Sequence, residues 1–245
     1  TALITGGSKG LGKVIASGLA SAGANVVLVS RHGAEAQEAA DEIAADHGQG
    51  AVGIEADITV PAQIDAMIAI ARESFGGIDI LVNSAGINTR GPIEAITLEQ
   101  FEELMKINVT GTWLCCKTVI PLMKKAGWGR IINLSSAIGL VGVPERTPYA
   151  SSKGAVTQLT RTLALELAGS GILVNAICPG GHEERSLELA RGRAEYSGEA
   201  FDEEAFRLGF RATHDNAVIA GRWCADEGFT NKAGGPEDAA TIALF

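Results

Sequence analysis

The sequence predicts an α/β fold: a doubly wound parallel sheet with helices on both faces, in a single domain. Two observations carry this. Short apolar runs alternate with longer stretches of helical pattern from the first residues to about position 177. One of the runs, Asn25-Val-Val-Leu-Val29, is continuous in its apolar character, as in a strand covered on both faces. A chain of 245 residues is long enough for one such domain with a sizeable core.

Taken in order, Ala2-Leu-Ile is the first strand, and Thr5-Gly-Gly-Ser-Lys-Gly-Leu-Gly12 breaks it before a helix from Lys13 to Ala22. Strand two is Asn25 to Val29, and the Ala- and Glu-rich stretch from His32 to His47 is helical. Ala51 to Asp57 is strand three. Pro61 to Phe75 is a helix whose proline suits a first turn, where its missing N–H is not needed. Ile78 to Val82 is strand four, closed by Asn83-Ser-Ala-Gly86. Leu98 to Lys124 holds one or two helices, Arg130 to Leu134 is strand five, Pro148 to Gly169 is a long helix, and Ile172 to Ile177 is strand six. Glu183 to Arg211 is charged and helical in pattern, with few apolar anchors. No linker, repeat or low-complexity segment divides the chain, so 1–245 reads as one domain.

The first strand-to-helix turn carries Gly6, Gly10 and Gly12. Glycine there lets the backbone turn tightly and approach a pyrophosphate, and a helix N-terminus supplies N–H groups and the positive end of a dipole. The spacing is Gly-x-x-x-Gly-x-Gly. Between an N-terminal strand and a helix, this turn predicts dinucleotide binding on a Rossmann-like sheet. An NAD site places a carboxylate near the end of strand two, on the ribose 2′-OH. Ser30-Arg31 stands there instead. Arg31 and Lys9 can face a 2′-phosphate, which arginine suits by planar bidentate bonding, so NADP(H) is expected over NAD(H).

Tyr149 and Lys153 are four positions apart, one helical turn along one face. The tyrosine pKa is ordinarily about 10, and a fixed positive charge beside it is expected to lower it. Such a phenol can give or take a proton near neutral pH. Ser136, at the end of strand five, can hold a substrate oxygen beside it. Tyr-x-x-x-Lys on its own also occurs on exposed helices, as a half-buried Tyr next to a solvated Lys; the glycine turn is what sets this pair apart.

Composition bounds the partners. Hydrophobic residues make up 46% and charged residues 20%, an ordinary globular balance. The net charge of −9 argues against nucleic acid or anionic membrane as a main partner. Cys115, Cys116, Cys178 and Cys224 show neither a disulfide framework nor metal-ligand spacing, and Cys115-Cys116 are expected to pack as small apolar residues in a reducing compartment. No metal site is expected, and His182 and His214 read as surface residues. No apolar run reaches membrane-spanning length and no signal peptide precedes the first strand, so a cytoplasmic location is expected, although the chain opens on Thr1 with no initiator Met.

Together these stretches resemble the short-chain dehydrogenase/reductase family over about positions 1 to 180. The turn from Thr5 to Gly12, with Ser8, Lys9 and Leu11, is similar to the family's nucleotide loop. Asp57-Ile58 is similar to the adenine-contacting pair after strand three. Asn83-Ser-Ala-Gly86, with Ala85 and Gly86 in place and Ser84 substituted, is similar to Asn-Asn-Ala-Gly. Asn108 in Ile-Asn-Val-Thr-Gly is similar to the helix asparagine, and Ser136, Tyr149 and Lys153 to the catalytic set. Pro179-Gly180 is similar to the loop covering the nicotinamide. The nearest look is to gluconate 5-dehydrogenase and 3-oxoacyl-carrier-protein reductase members, Gly86-Ile-Asn-Thr-Arg-Gly-Pro92 leaning toward the former.

The resemblance implies an oxidoreductase that moves a hydride between a nicotinamide and a carbonyl or secondary alcohol substrate. Ser136 would bond the carbonyl oxygen, Tyr149 would transfer the proton, and Lys153 would hold the ribose and lower the tyrosine pKa. Asn108 would position a water, or bond backbone within a bent helix, or both. A homotetramer or homodimer packing through Leu98–Lys124 and Pro148–Gly169 is implied too. The alternative is a non-catalytic NADP-binding protein on the same fold, against which the intact Ser-Tyr-Lys set argues. Epimerase or dehydratase relatives carry a longer substrate domain. The substrate pocket is expected to be lined by Ile138 to Thr147 and the tail after Gly180. The region 181–245 departs from the family. Gly181-His-Glu-Glu-Arg185 lacks the usual cofactor threonine, and Gly221-Arg-Trp223 and Gly235-Pro-Glu-Asp238 are separated by a segment the family places after them. That order leaves the substrate and any tail-mediated subunit contact unassigned.

Overall fold

Strands β1 (Ala2–Thr5), β2 (Val26–Ser30), β3 (Ala51–Glu55), β4 (Ile80–Asn83), β5 (Gly129–Leu134) and β6 (Ile172–Ile177) form one parallel sheet in the computed structural model, which describes residues 1–180. Their order is β3-β2-β1-β4-β5-β6. The chain therefore winds outward from β1 in one direction and then, from β4, in the other. This is the doubly wound Rossmann-like architecture the alternating pattern predicts.

Successive strand residues face opposite sides, and the two sides have separate cores. Leu3, Val27, Val29, Leu81, Ile131 and Val174 pack with residues of α3 (Pro61–Phe75), α5 (Thr112–Ala126) and α6 (Thr147–Glu166). Ala2, Ile4, Val26, Leu28 and Val82 pack with α1 (Gly10–Ser21) and α2 (Gly33–His47). Cys115 and Cys116 lie in the first core; burial pushes the Cys116 thiol up to about 12, which fits packing as small apolar residues.

Most element bounds lie within two or three residues of the sequence reading, and at two places the outcome has a physical reason. Helix α1 begins at Gly10, not Lys13, because the loop glycines also form its first turn. The stretch expected to hold one or two helices holds two, α4 (Leu98–Met105) and α5, joined without a break by a π-helical segment, Lys106–Gly111. A Thr97–Gln100 capping box starts α4, and at the start of α5 the Thr112 hydroxyl donates back to the Asn108 carbonyl of the π segment at 2.8 Å. Among the described residues no helix is long and apolar enough to cross a membrane, and no group of three or more His, Cys, Asp or Glu is placed to hold a metal ion. The expectations for Glu183–Arg211, His182, His214, Cys224 and the reordered tail lie outside the described residues.

Candidate active site

A cleft of about 850 Å³ opens along the C-terminal edge of the sheet, where the strand order reverses. Gly6, Ser8, Lys9, Leu11 and Gly12 line it from the β1–α1 turn, Ser30 and Arg31 from the end of β2, and Asp57 and Ile58 from beyond β3. Ala85 and Gly86 line it after β4, Ser136 after β5, Tyr149 and Lys153 from α6, and Pro179 and Gly180 after β6. Gly10, Asn83 and Asn108, also expected at the site, are not part of the lining.

The turn after β1 is shaped for close approach. A Cβ on Gly6 would stand 2.8 Å from Ala85 Cα, and one on Gly12 would stand 2.2 Å from Gly6 O. Only glycine allows α1 to start this near the loop, and its first turn lines the cleft at Leu11 and Gly12. Thr5 ties the neighbouring strand ends: its hydroxyl oxygen accepts from Ser84 N at 3.2 Å and Ala85 N at 3.3 Å.

Electrostatics divide the cleft. Burial opposes ionisation of Asp57, yet hydrogen bonds from Thr59 and the charges of Arg31 and Lys106 outweigh it and hold the carboxyl below its usual range. Arg31 therefore lies close enough to act on the Asp57 end. Lys9 is less committed to the cleft than expected, because it pairs with Glu35 at 3.6 Å. Lys9 is mostly exposed and Glu35 about half exposed, so the pair is weak. Glu55, the register partner of Ser30, turns its carboxylate toward Gly33 and does not line the cleft.

At the other end, α6 presents Tyr149 and Lys153 beside Ser136. Ser135 anchors the helix there: it donates to Lys153 O at 2.9 Å and shares a 2.7 Å bond with Thr157. Burial raises the Tyr149 pKa, and a hydrogen bond with Ser136 opposes that rise. The expected lowering by Lys153 is corrected by the structure. The ammonium is 5.6 Å from the phenol ring centre and donates to Leu134 O at 2.6 Å. Lys153 is buried and Tyr149 half-buried in the cleft wall, and desolvation dominates each shift. Burial also holds Lys153 down at about 8 from an ordinary 10.5, with the Cys178 sulfur acting the other way.

That depression has a measurable consequence. Between about pH 8 and 10.5 the unfolded chain binds more protons than the folded one, so stability rises with pH in that window. Below about 8 the ammonium is charged in both states and its burial cost is constant. Relative to Lys153→Met, the wild type is expected to gain about 3 kcal/mol across the window. Denaturant melts of both proteins at several pH values check this; a pH-independent difference would mean that the ammonium is solvated.

Asn108 and Asn83 are held away from the lining by their own bonds. The Asn108 amide accepts from Ile87 N at 2.8 Å and donates to Ile87 O at 2.9 Å and Ser152 Oγ at 3.1 Å. It fastens the loop after β4 to the π segment and α6. Asn83 points into the layer beneath α5 and donates to Asn133 Oδ1 at 2.8 Å; its own Oδ1, fully buried, has no partner in the described structure.

Asn88, Arg90 and Arg146 are lining residues to which the sequence attached no individual role, although Arg146 lies within the expected wall Ile138 to Thr147. Arg146 donates to Asn88 Oδ1 at 3.1 Å, and Gly91 N donates to Glu145 O at 3.0 Å, joining the loop after β4 to the loop before α6. Lone arginines in aperiodic loops leave no pattern to read. The expected substrate wall, Ile138 to Thr147, does contribute Ile138, Val143, Pro144, Glu145 and Arg146 to the lining.

The chain is similar to known proteins in sequence and in fold. Residues 1–190 match the short chain dehydrogenase family. A D-beta-hydroxybutyrate dehydrogenase from Rhizobium meliloti (strain 1021) is 44% identical over 182 residues, covering 74% of this chain and 70% of that protein. A 3-oxoacyl-[acyl-carrier-protein] reductase from Aquifex aeolicus (strain VF5) is 38% identical over 178 residues, covering 73% and 72%. The crystal structure of a 3-ketoacyl-ACP reductase from Sinorhizobium meliloti 1021 superposes with a TM-score of 0.70 at 36% identity, covering 73% of this chain and 71% of that one.

Proposed function

The chain belongs to the short-chain dehydrogenase family, oxidoreductases of alcohols and ketones, and from that premise we propose an NADP(H)-dependent carbonyl reductase/alcohol dehydrogenase. The observation that carries the chemistry is the meeting of Ser136, Tyr149 and Lys153 at one end of a cleft whose other end suits a dinucleotide. The fit rests on the cradle at Gly6 and Gly12, which a side chain would fill.

In this reading the β1–α1 turn holds the pyrophosphate, Asp57 and Ile58 flank the adenine, and Lys153 holds the ribose hydroxyls. Pro179 and Gly180 border the nicotinamide end. The bound nicotinamide supplies the hydride. Ser136 donates to the carbonyl oxygen and fixes its direction. Tyr149, kept protonated by burial, gives its O–H proton to that oxygen in reduction and takes it back in oxidation. Asn108 positions the loop after β4 against α6 and, in the same reading, a water near Lys153. Self-association through α4, α5 and α6, where Leu98, Phe101, Trp113 and Leu165 are exposed, belongs to this reading; light scattering showing only monomer at micromolar concentration would count against it.

NADP(H) over NAD(H) is supported by Arg31, which lines the cleft at the end of β2 and acts on Asp57. A charge-assisted bond to a 2′-phosphate is worth roughly 1.5–3 kcal/mol. Arg31→Ala is therefore expected to weaken NADPH by about ten- to a hundredfold and NADH little, and Arg31→Asp to shift preference toward NADH. Dissociation constants for both cofactors, at one ionic strength because the effect is partly screened, test it. Equal wild-type affinity for NADH and NADPH would make Arg31 a solvated surface charge.

A further inference from the structure

The chain carries a net charge of −9, yet Lys9, Arg31, Arg90, Arg146 and Lys153 line the cleft against two carboxylates, Asp57 and Glu145. Lys9 and Arg31 stand at the dinucleotide end, and Lys153 beside the proton donor. Arg90 and Arg146 serve neither. They come from the loops after β4 and before α6, two and three strands along the sheet edge from β2, and strands are spaced about 4.8 Å apart. The loops are joined there by the Arg146–Asn88 and Gly91–Glu145 bonds.

Given the oxidoreductase reading above, we propose that the substrate carries a carboxylate, held by Arg146, with Arg90 lining the same cleft. Arg146 is half-buried, and its bonded partner among the described residues is a neutral amide, which leaves its charge uncompensated by that bond. A guanidinium presents five donors in a planar fork that matches a carboxylate. Asn88 fixes the fork's direction while leaving donors for the ligand. Arg146 precedes Tyr149 by three positions, a separation of about one turn. A carboxylate bound to Arg146 brings a carbonyl to Ser136 and Tyr149 only when few bonds separate the two groups. The substrate class is short oxo acids and the corresponding hydroxy acids.

The test compares acids with their neutral esters. kcat/KM is measured with NADPH for 3-oxobutanoate and 4-oxopentanoate and for their methyl esters. The wild type is expected to prefer an acid over its ester by about ten- to a hundredfold. Arg146→Gln is expected to bring that ratio close to one, Arg90→Gln to lower it by less, and Arg146→Lys, which keeps the charge without the fork, to retain part of it. NADPH affinity of each variant reports folding. Independently of turnover, butanoate binding in the presence of NADP+ is expected to weaken at least about tenfold in Arg146→Gln. Esters turned over as well as acids, or butanoate binding indifferent to Arg146→Gln, would overturn the carboxylate and leave the oxidoreductase reading standing. A wild type that turns over no carbonyl compound while still binding NADPH overturns that reading, and the carboxylate proposal with it.

Discussion

Tyr149→Phe is expected to abolish turnover and to leave NADPH affinity within a few-fold. The substitution removes one oxygen and its proton and keeps the ring that packs in the cleft wall. General acid catalysis typically contributes about 10²–10⁴-fold, and no other hydroxyl can replace the donor. Ser136, the hydroxyl beside it, is taken up in holding the carbonyl oxygen; in the structure its oxygen accepts from Ile138 N at 3.3 Å and it donates to Pro179 O at 3.5 Å. The raised pKa sharpens the expectation by direction. A buried, protonated phenol is ready to donate, so reduction should persist to alkaline pH, whereas oxidation needs the phenolate and should rise with pH. Single-turnover reduction and cofactor titration of the variant separate chemistry from binding; wild-type-like turnover would remove Tyr149 from the mechanism.

The second large effect is expected at Gly12→Ala. The added carbon would stand 2.2 Å from Gly6 O, 2.9 Å from Gly6 C and 3.1 Å from Ser84 Oγ. Two of these are backbone atoms, so α1 itself must move. Overpacking of this kind typically costs about 1–3 kcal/mol, and shifting the first turn spoils the amide cradle, so NADPH affinity is expected to fall more than about tenfold. Gly10→Ala is the contrast. Nothing lies within 4 Å of its added carbon, but its φ is +57, and a left-handed conformation costs an ordinary residue about 1–2 kcal/mol. The first variant should lose binding out of proportion to stability, the second stability alone. Melting temperatures and NADPH dissociation constants for both check this, and equal behaviour of the two would contradict the close packing at Gly12.

The sheet was legible because short, mainly apolar runs alternate with helical stretches, and the site residues because the glycine turn, Asp57-Ile58 and the Ser-Tyr-Lys set each sit at a strand end or helix start. What was not legible depends on burial and direction. Four-residue spacing places Lys153 near Tyr149 but does not say that one pocket desolvates both, so the expected sign of the tyrosine shift was reversed. Asn83 was assigned to the cofactor by its motif. Strand alternation puts it on the same side as Leu81, under α5, where it bonds Asn133; that parity was available in the sequence. Arg146 needed the fold, since only the meeting of two loops brings it to Asn88.

The π segment has a consequence for helix phase. Leu104, Asn108, Thr112 and Cys116 are all buried and follow one another at intervals of four. In an uninterrupted α-helix of 3.6 residues per turn, each interval of four drifts by about 40°, so the last of these side chains would lie about 120° around the axis from the first. One residue accommodated by the wider turn takes back about 100° of that drift. The four side chains thus keep almost one bearing along the rod from α4 into α5, and the insertion acts as a gear tooth that carries the heading of Leu104 through the asparagine clamp to Cys116.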